Sequence, residues 1–227
     1  MRTLVSGLLA ATALVAAPAA QAATVQIQNI TNNSKLTNVS LSFDGGATFG
    51  SALAGQLEIR KVGGTATFIP NGDYFTFCVE PTEFLANAVM DLVGVPLGDT
   101  ASGGMGLARA RQVSELLARY HPVLDIAVSN TVGAALQVAI WEIVRETSGG
   151  PLSVLTGSFR VNGPAGVLSL ANGYLASLTG SPQLHNLRAL TRVGAQDLLI
   201  QTPAPAALTL FGLGLGALAL RRRRAAA

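Results

Sequence analysis

Cys78 is the one cysteine in 227 residues. A lone cysteine cannot close an internal disulfide, so its thiol is buried and inert, paired between molecules, or committed to another bond. The residue that stands beside it as a candidate is Gln137, an amide set in the otherwise apolar stretch 134–140. A thiolate is a competent nucleophile toward an acyl carbon, but an ordinary amide is a poor electrophile. Fifty-nine residues separate the pair, so only tertiary structure can bring them together. Taken singly, each residue has a plainer reading: a small buried hydrophobe for Cys78 and a hydrogen-bonded helix residue for Gln137. Glu80 and Glu83 follow the cysteine, and Tyr74, Thr76 or Glu142 could orient the amide, but each reads more simply as a strand-end or helix-surface residue. A hydrolase pairing Cys78 with His121 or His185 lacks a nucleophile motif around the cysteine. His121 precedes Pro122 at a helix stop, and His185 lies in a loop-like stretch. No HxxxH, CxxC or carboxylate cluster points to a metal, and no cofactor is expected.

The positioning elements follow from periodicity. From residue 24 to about 79 the chain alternates apolar and polar residues, as in Val25-Gln26-Ile27-Gln28 and Val39-Ser40-Leu41-Ser42-Phe43. Period-two alternation broken by Asp44-Gly45-Gly46, Gly63-Gly64 and Asn71-Gly72 predicts antiparallel strands, including 57–60, 66–69 and 74–79. Alternation places Tyr74, Thr76 and Cys78 on one face of the last strand, with Phe75, Phe77 and Val79 on the other. After Gly98 the period changes. Val113, Leu116, Leu117 and Tyr120 form the apolar stripe of a helix over 107–120, with Arg109, Arg111 and Arg119 outward. A second helix runs from a cap at Asn130 or Thr131 to about Thr147, before Gly149-Gly150-Pro151. A third spans 165–178, and 196–201 reads as a closing strand. The fold class is α+β: an N-terminal antiparallel β-sheet or barrel part with a helical subdomain.

Two segments around the candidate pair, Phe77-Cys78-Val79 and Leu136-Gln137-Val138-Ala139-Ile140-Trp141, resemble the thioester domains of bacterial surface adhesins. In that family an aromatic or aliphatic residue precedes the cysteine, here Phe77. The glutamine opens a Gln-x-Ala-apolar-Trp segment, here Gln137, Ala139 and Trp141. Leu136 stands where the family often has threonine. The resemblance extends loosely over residues 24–201. It implies a thioester-domain-like fold and an intramolecular bond between the Cys78 sulfur and the Gln137 acyl carbon, formed with loss of ammonia. It further implies a single-use covalent link to an amine on a surface or matrix partner, in adhesion or biofilm, and no turnover as an enzyme.

The two ends carry an address. Arg2 followed by an apolar run over 4–17, a break at Pro18 and the small-x-small triplet Ala20-Gln21-Ala22 have the order of a secretory signal, with signal peptidase cutting after Ala22. The expected organisation is a signal peptide over 1–22, an extracytoplasmic domain over 23–201 and a sorting tail over 202–227. The tail has Pro203-Ala204-Pro205, an uncharged span over 206–220, and Arg221, Arg222, Arg223 and Arg224. Fifteen residues at helical rise reach roughly 22 Å, short of a ~30 Å hydrocarbon core, so arginine snorkelling or an accessory protein must help. The arginines hold the far end at the cytoplasmic face. This tail resembles the PEP-CTERM sorting signal of Gram-negative bacteria, with Ala204 where that family carries glutamate, and implies an exosortase as processing partner. The implied path is export, a membrane-anchored intermediate, then the cell surface or matrix. The formal charge of +3 misleads, because the two ends hold five of the fifteen basic residues. The body keeps ten against twelve acidic residues, which excludes a nucleic-acid surface. A non-reactive structural protein of the envelope or matrix is the alternative to the thioester reading.

Overall fold

The structure is a computed structural model that describes residues 22–203. Ala20, Pro205, the apolar span after it and Arg221, Arg222, Arg223 and Arg224 lie outside the described residues; Ala22 and Pro203 stand at their two ends. In chain order the elements are β1 (Ala23–Asn29), β2 (Thr37–Ser42), β3 (Gly50–Ala54), β4 (Leu57–Gly63), β5 (Gly72–Cys78), β6 (Ala88–Val93), α1 (Gly106–Tyr120), α2 (Asn130–Arg145), β7 (Arg160–Asn162), α3 (Ala165–Ala176), β8 (Leu187–Arg192) and β9 (Ala195–Gln201). The fold is α+β.

Six strands close into an antiparallel barrel in the order β1, β4, β5, β9, β8, β6, and closure leaves this sheet no free edge. Alternation sets its inside: Val25 and Ile27 are buried while Gln26 and Gln28 are exposed, and Leu57, Ile59 and Lys61 turn inward from β4. A second sheet, ordered β3, β2, β7, stands apart from the barrel. Between the sheets and the helices runs α2, whose residues from Gly133 to Val144 are all buried. A helix apolar on every side is a core helix, and α2 packs against α1, α3, β2 and β3. Gly133 permits this approach, because a Cβ there would stand 3.0 Å from the backbone nitrogen of Gln56. The α1 helix is amphipathic as its spacing predicts, with Val113, Leu116 and Leu117 buried.

Several expectations are corrected. Residues 66–69 form a turn, not a strand: Ile69 N–H bonds back to Ala66, and Ala66 N–H bonds Thr24. The cap of α2 is Ser129, one residue earlier than expected, its hydroxyl accepting from Val132 N–H. The same helix ends at Arg145, and α3 at Ala176. Strands β6, β7 and β8 lie in stretches with no expected strand. The barrel also draws on the far end of the domain, whose hairpin β8–β9 inserts between β5 and β6.

Candidate functional site

Cys78 is the last residue of β5, paired with Leu198 of β9. Beside it the Thr76 hydroxyl donates to the Leu199 carbonyl, and Val79 N–H donates to Asp197 O at 2.8 Å. These bonds fix the strand end before the chain leaves the barrel. Gln137 lies in the second turn of α2, with Trp141 one turn further on; residues four apart share a helix face. Both Cys78 and Gln137 are 1% exposed.

The fold brings the two together. Cys78 N–H donates to Gln137 Oε1 at 3.0 Å, and Gln137 Nε2 donates to the Cys78 carbonyl at 2.7 Å. The side-chain amide is thus clamped by the backbone of the cysteine, with one N–H already placed on its carbonyl oxygen. A backbone donor on a carbonyl stabilises the negative charge that develops there when a nucleophile adds to the carbon. The Cys78 thiol donates to the Glu80 carbonyl at 3.0 Å. Burial pushes this thiol well above its ordinary range. The Trp141 indole pulls the other way. At neutral pH the sulfur therefore rests as the protonated thiol.

The wall beside the thiol is built from buried acids. Glu80, Asp99 and Asp197 have no exposure. Glu80 accepts from Ala101 N–H at 2.7 Å and Asp197 N–H at 3.1 Å, tying the end of β5 to β9 and to the turn at residues 100–102. Asp197 accepts from Thr100 N–H at 2.8 Å and Arg192 N–H at 3.0 Å. Arg145, at the end of α2, pairs with Asp99 at 2.7 Å. Burial raises the pKa of all three acids, opposed by these hydrogen bonds in Glu80 and Asp197 and by Arg145 in Asp99. Glu142, in the same helix as Gln137, is pushed up to about 7 by burial and by the neighbouring Glu146. It accepts from Ser153 N–H at 2.8 Å, and its other oxygen has no partner.

A cleft of about 470 Å3 opens onto Cys78, Gln137 and Trp141. Leu36, Leu53, Leu57 and Leu85 supply apolar lining, Asn29, Asn33 and Asn38 line the side of β1 and β2, and Glu83 is its one charged side chain among the described residues. Phe84, 88% exposed, stands at its mouth. Gln196 holds that loop in place, its amide donating to the carbonyls of Glu80 and Glu83.

Of the other motif residues, Ala139 is fully buried in α2, and Phe77 points away from the cysteine face to meet His121 edge-on at 5.8 Å. His121 is engaged there, its Nε2 within 2.9 Å of Gln56 Nε2, and burial lowers its pKa. Tyr74 bonds the Pro70 carbonyl and Thr76 the Leu199 carbonyl, so neither orients the amide. The reading of Glu142 as a helix-surface residue is overturned, since it is wholly buried; Glu80 stands just past the end of β5 and is wholly buried too. The available signal was a carboxylate inside an apolar run, as in Ala139-Ile140-Trp141-Glu142-Ile143-Val144 and Asp197-Leu198-Leu199-Ile200. Among the described residues no group of three metal-ligating side chains occurs, and no helix is long and apolar enough to cross a membrane. No protein-family model matches the chain, and neither the curated proteins nor the solved structures yield a match.

Proposed function

We propose that this chain is an exported bacterial surface protein that stores an intramolecular thioester between Cys78 and Gln137 and spends it in one covalent attachment to an amine. The observation that carries this reading is the reciprocal pair of hydrogen bonds locking the Gln137 amide to the Cys78 backbone at the floor of a cleft.

In the forming step the Cys78 sulfur adds to Cδ of Gln137. The C–S bond forms, the charge gathering on Oε1 is met by Cys78 N–H, and the bond from Cδ to Nε2 breaks. The thiol proton leaves with that nitrogen as ammonia. In the spending step an amine nitrogen adds to the same carbon, the C–S bond breaks, and the proton given up by the amine returns to the sulfur. The products are an amide link on Gln137 and a free thiol. Burial of both groups keeps out water, the competing nucleophile. The buried acid wall holds β5 and α2 in a fixed relation, so alignment costs little at the moment of reaction.

The address at the two ends belongs to the same proposal: signal peptidase acts after Ala22, the span before Arg221 holds the chain in the inner membrane, and an exosortase processes the tail at Pro203-Ala204-Pro205. The exported domain then reaches the cell surface or matrix, where amine-bearing partners are available. A second reading, a non-reactive structural protein of the envelope, is favoured by one observation: the thiol is buried and its pKa is raised.

Exposure of the native protein to methylamine separates the two. The thioester reading predicts a methylamide on Gln137 and one newly titratable thiol. The structural reading predicts no adduct and the same thiol content before and after treatment.

A further inference from the structure

Trp141 is 2% exposed, and its indole nitrogen is one of four buried side-chain polar atoms without a hydrogen-bond partner among the described residues. An unpaired buried N–H is destabilising, so its presence calls for a reason. The reason lies in its position. Trp141 is four residues after Gln137 on α2 and lines the same cleft as Cys78 and Gln137. The neighbouring polar groups are already engaged: the thiol proton by the Glu80 carbonyl, and both ends of the Gln137 amide by the Cys78 backbone. The resting thiol sulfur is a weak acceptor, whereas a thiolate is a strong one.

Resting on the thioester reading, we infer that the Trp141 indole N–H is a donor held in reserve for the sulfur of Cys78, engaged when that sulfur carries negative charge as nucleophile in bond formation and as leaving group in attack by an amine. The indole lies close enough to the resting thiol to lower a pKa that burial raises, although no hydrogen bond of ordinary geometry joins the two at rest. Cys78 N–H and Trp141 N–H thereby divide the work: the first meets charge on Oε1, the second charge on sulfur. Each step gains a donor for the charge it creates, and neither donor must reorganise.

Because the chain has one tryptophan, global replacement by 3-benzothienylalanine changes Trp141 alone and swaps the N–H for sulfur in a ring of nearly the same shape. This protein and Trp141→Phe are compared with wild type by intact mass, by the rate of methylamine-driven thiol release, and by the pH profile of Cys78 alkylation in a Gln137→Ala background. We expect both replacements to slow methylamine release about tenfold, the effect of losing one hydrogen bond to a charged group. The alkylation profile should move to higher pH. A structural role alone would not move that profile in the near-isosteric replacement. Unchanged release rates and an unchanged profile, with wild type one ammonia light, overturn the inference and leave the thioester standing. Wild type at full mass overturns both.

Discussion

At the residue scale, chemistry depends on which polar groups the core leaves free. Gln137 makes both of its side-chain hydrogen bonds to one residue, so Gln137→Glu should keep the shape but present a carboxylate, from which sulfur cannot expel ammonia. That variant is expected to carry the full mass of its own sequence and a Cys78 thiol that titrates without methylamine treatment. Glu142 offers a pH test. Its pKa is raised from 4.5 to about 7 by burial, against the Ser153 N–H that favours the charged form. A raised folded-state pKa contributes stability that is fully present below the unfolded value and lost as pH rises through the folded one. Wild type should lose on the order of 2 kcal/mol from this group between pH 4.5 and pH 8. Glu142→Gln should remove that decline, so urea melts of the two proteins should converge near pH 4.5 and favour the variant at pH 8. A wild type with no such decline would show that Glu142 is charged in the fold. The candidate pair was legible because a lone cysteine and an amide in an apolar run are unusual in one-dimensional terms. The bonds that clamp them, and the buried acids around them, were not, since carboxylate burial is decided by backbone N–H groups from remote segments.

At the scale of elements, the site depends on where α2 begins and on what holds its far end. Ser129 caps the helix, and Ser129→Ala should cost about 1 kcal/mol of stability. At the other end Glu146 is buried against the loop before β7. Burial works against its charge, but donors on Ser148, Ser158 and Phe159 hold its pKa at about 2. Gly157 closes that loop with φ +96, and a Cβ there would collide with the Glu146 carboxylate. Gly157→Ala therefore combines a left-handed backbone with a clash, and should lower stability by about 2–3 kcal/mol in thermal or urea unfolding. A loss no larger than that of a surface substitution would contradict this. Helices α1 and α2 could be read in the sequence because apolar residues recur at helical spacing or without interruption. Residues 66–69 alternate like a strand yet turn, because Gly64 at φ +103 redirects the chain and the Ala66 and Ile69 N–H groups are satisfied locally and by Thr24. Strand β8 escaped because Leu187-Arg188-Ala189-Leu190-Thr191-Arg192 breaks strict alternation at Ala189-Leu190.

At the scale of the whole molecule, the barrel, the second sheet and the central helix converge on one buried juncture of β5 and α2. An α+β class follows from the change of period near residue 98, but barrel closure does not, because it depends on the last hairpin returning to pair with β5 and β6. Two residues 59 apart could be suspected of meeting, while the cleft above them takes its walls from β1, β2, β3, the loop after β5 and Gln196. The proposed address predicts that the exported protein begins at Ala23, which N-terminal sequencing of secreted material would establish; a retained Met1 would refute export by this route. The bond between Cys78 and Gln137 is open to intact-mass measurement of the freshly purified native protein beside its Cys78→Ala variant. A hydrolysed thioester is separately recognisable, because it leaves an acid at Gln137 and a mass slightly above that of the sequence. The account predicts a wild type lighter than its sequence by one ammonia and a variant of full mass; a wild type of full mass, with Gln137 still an amide, would contradict it.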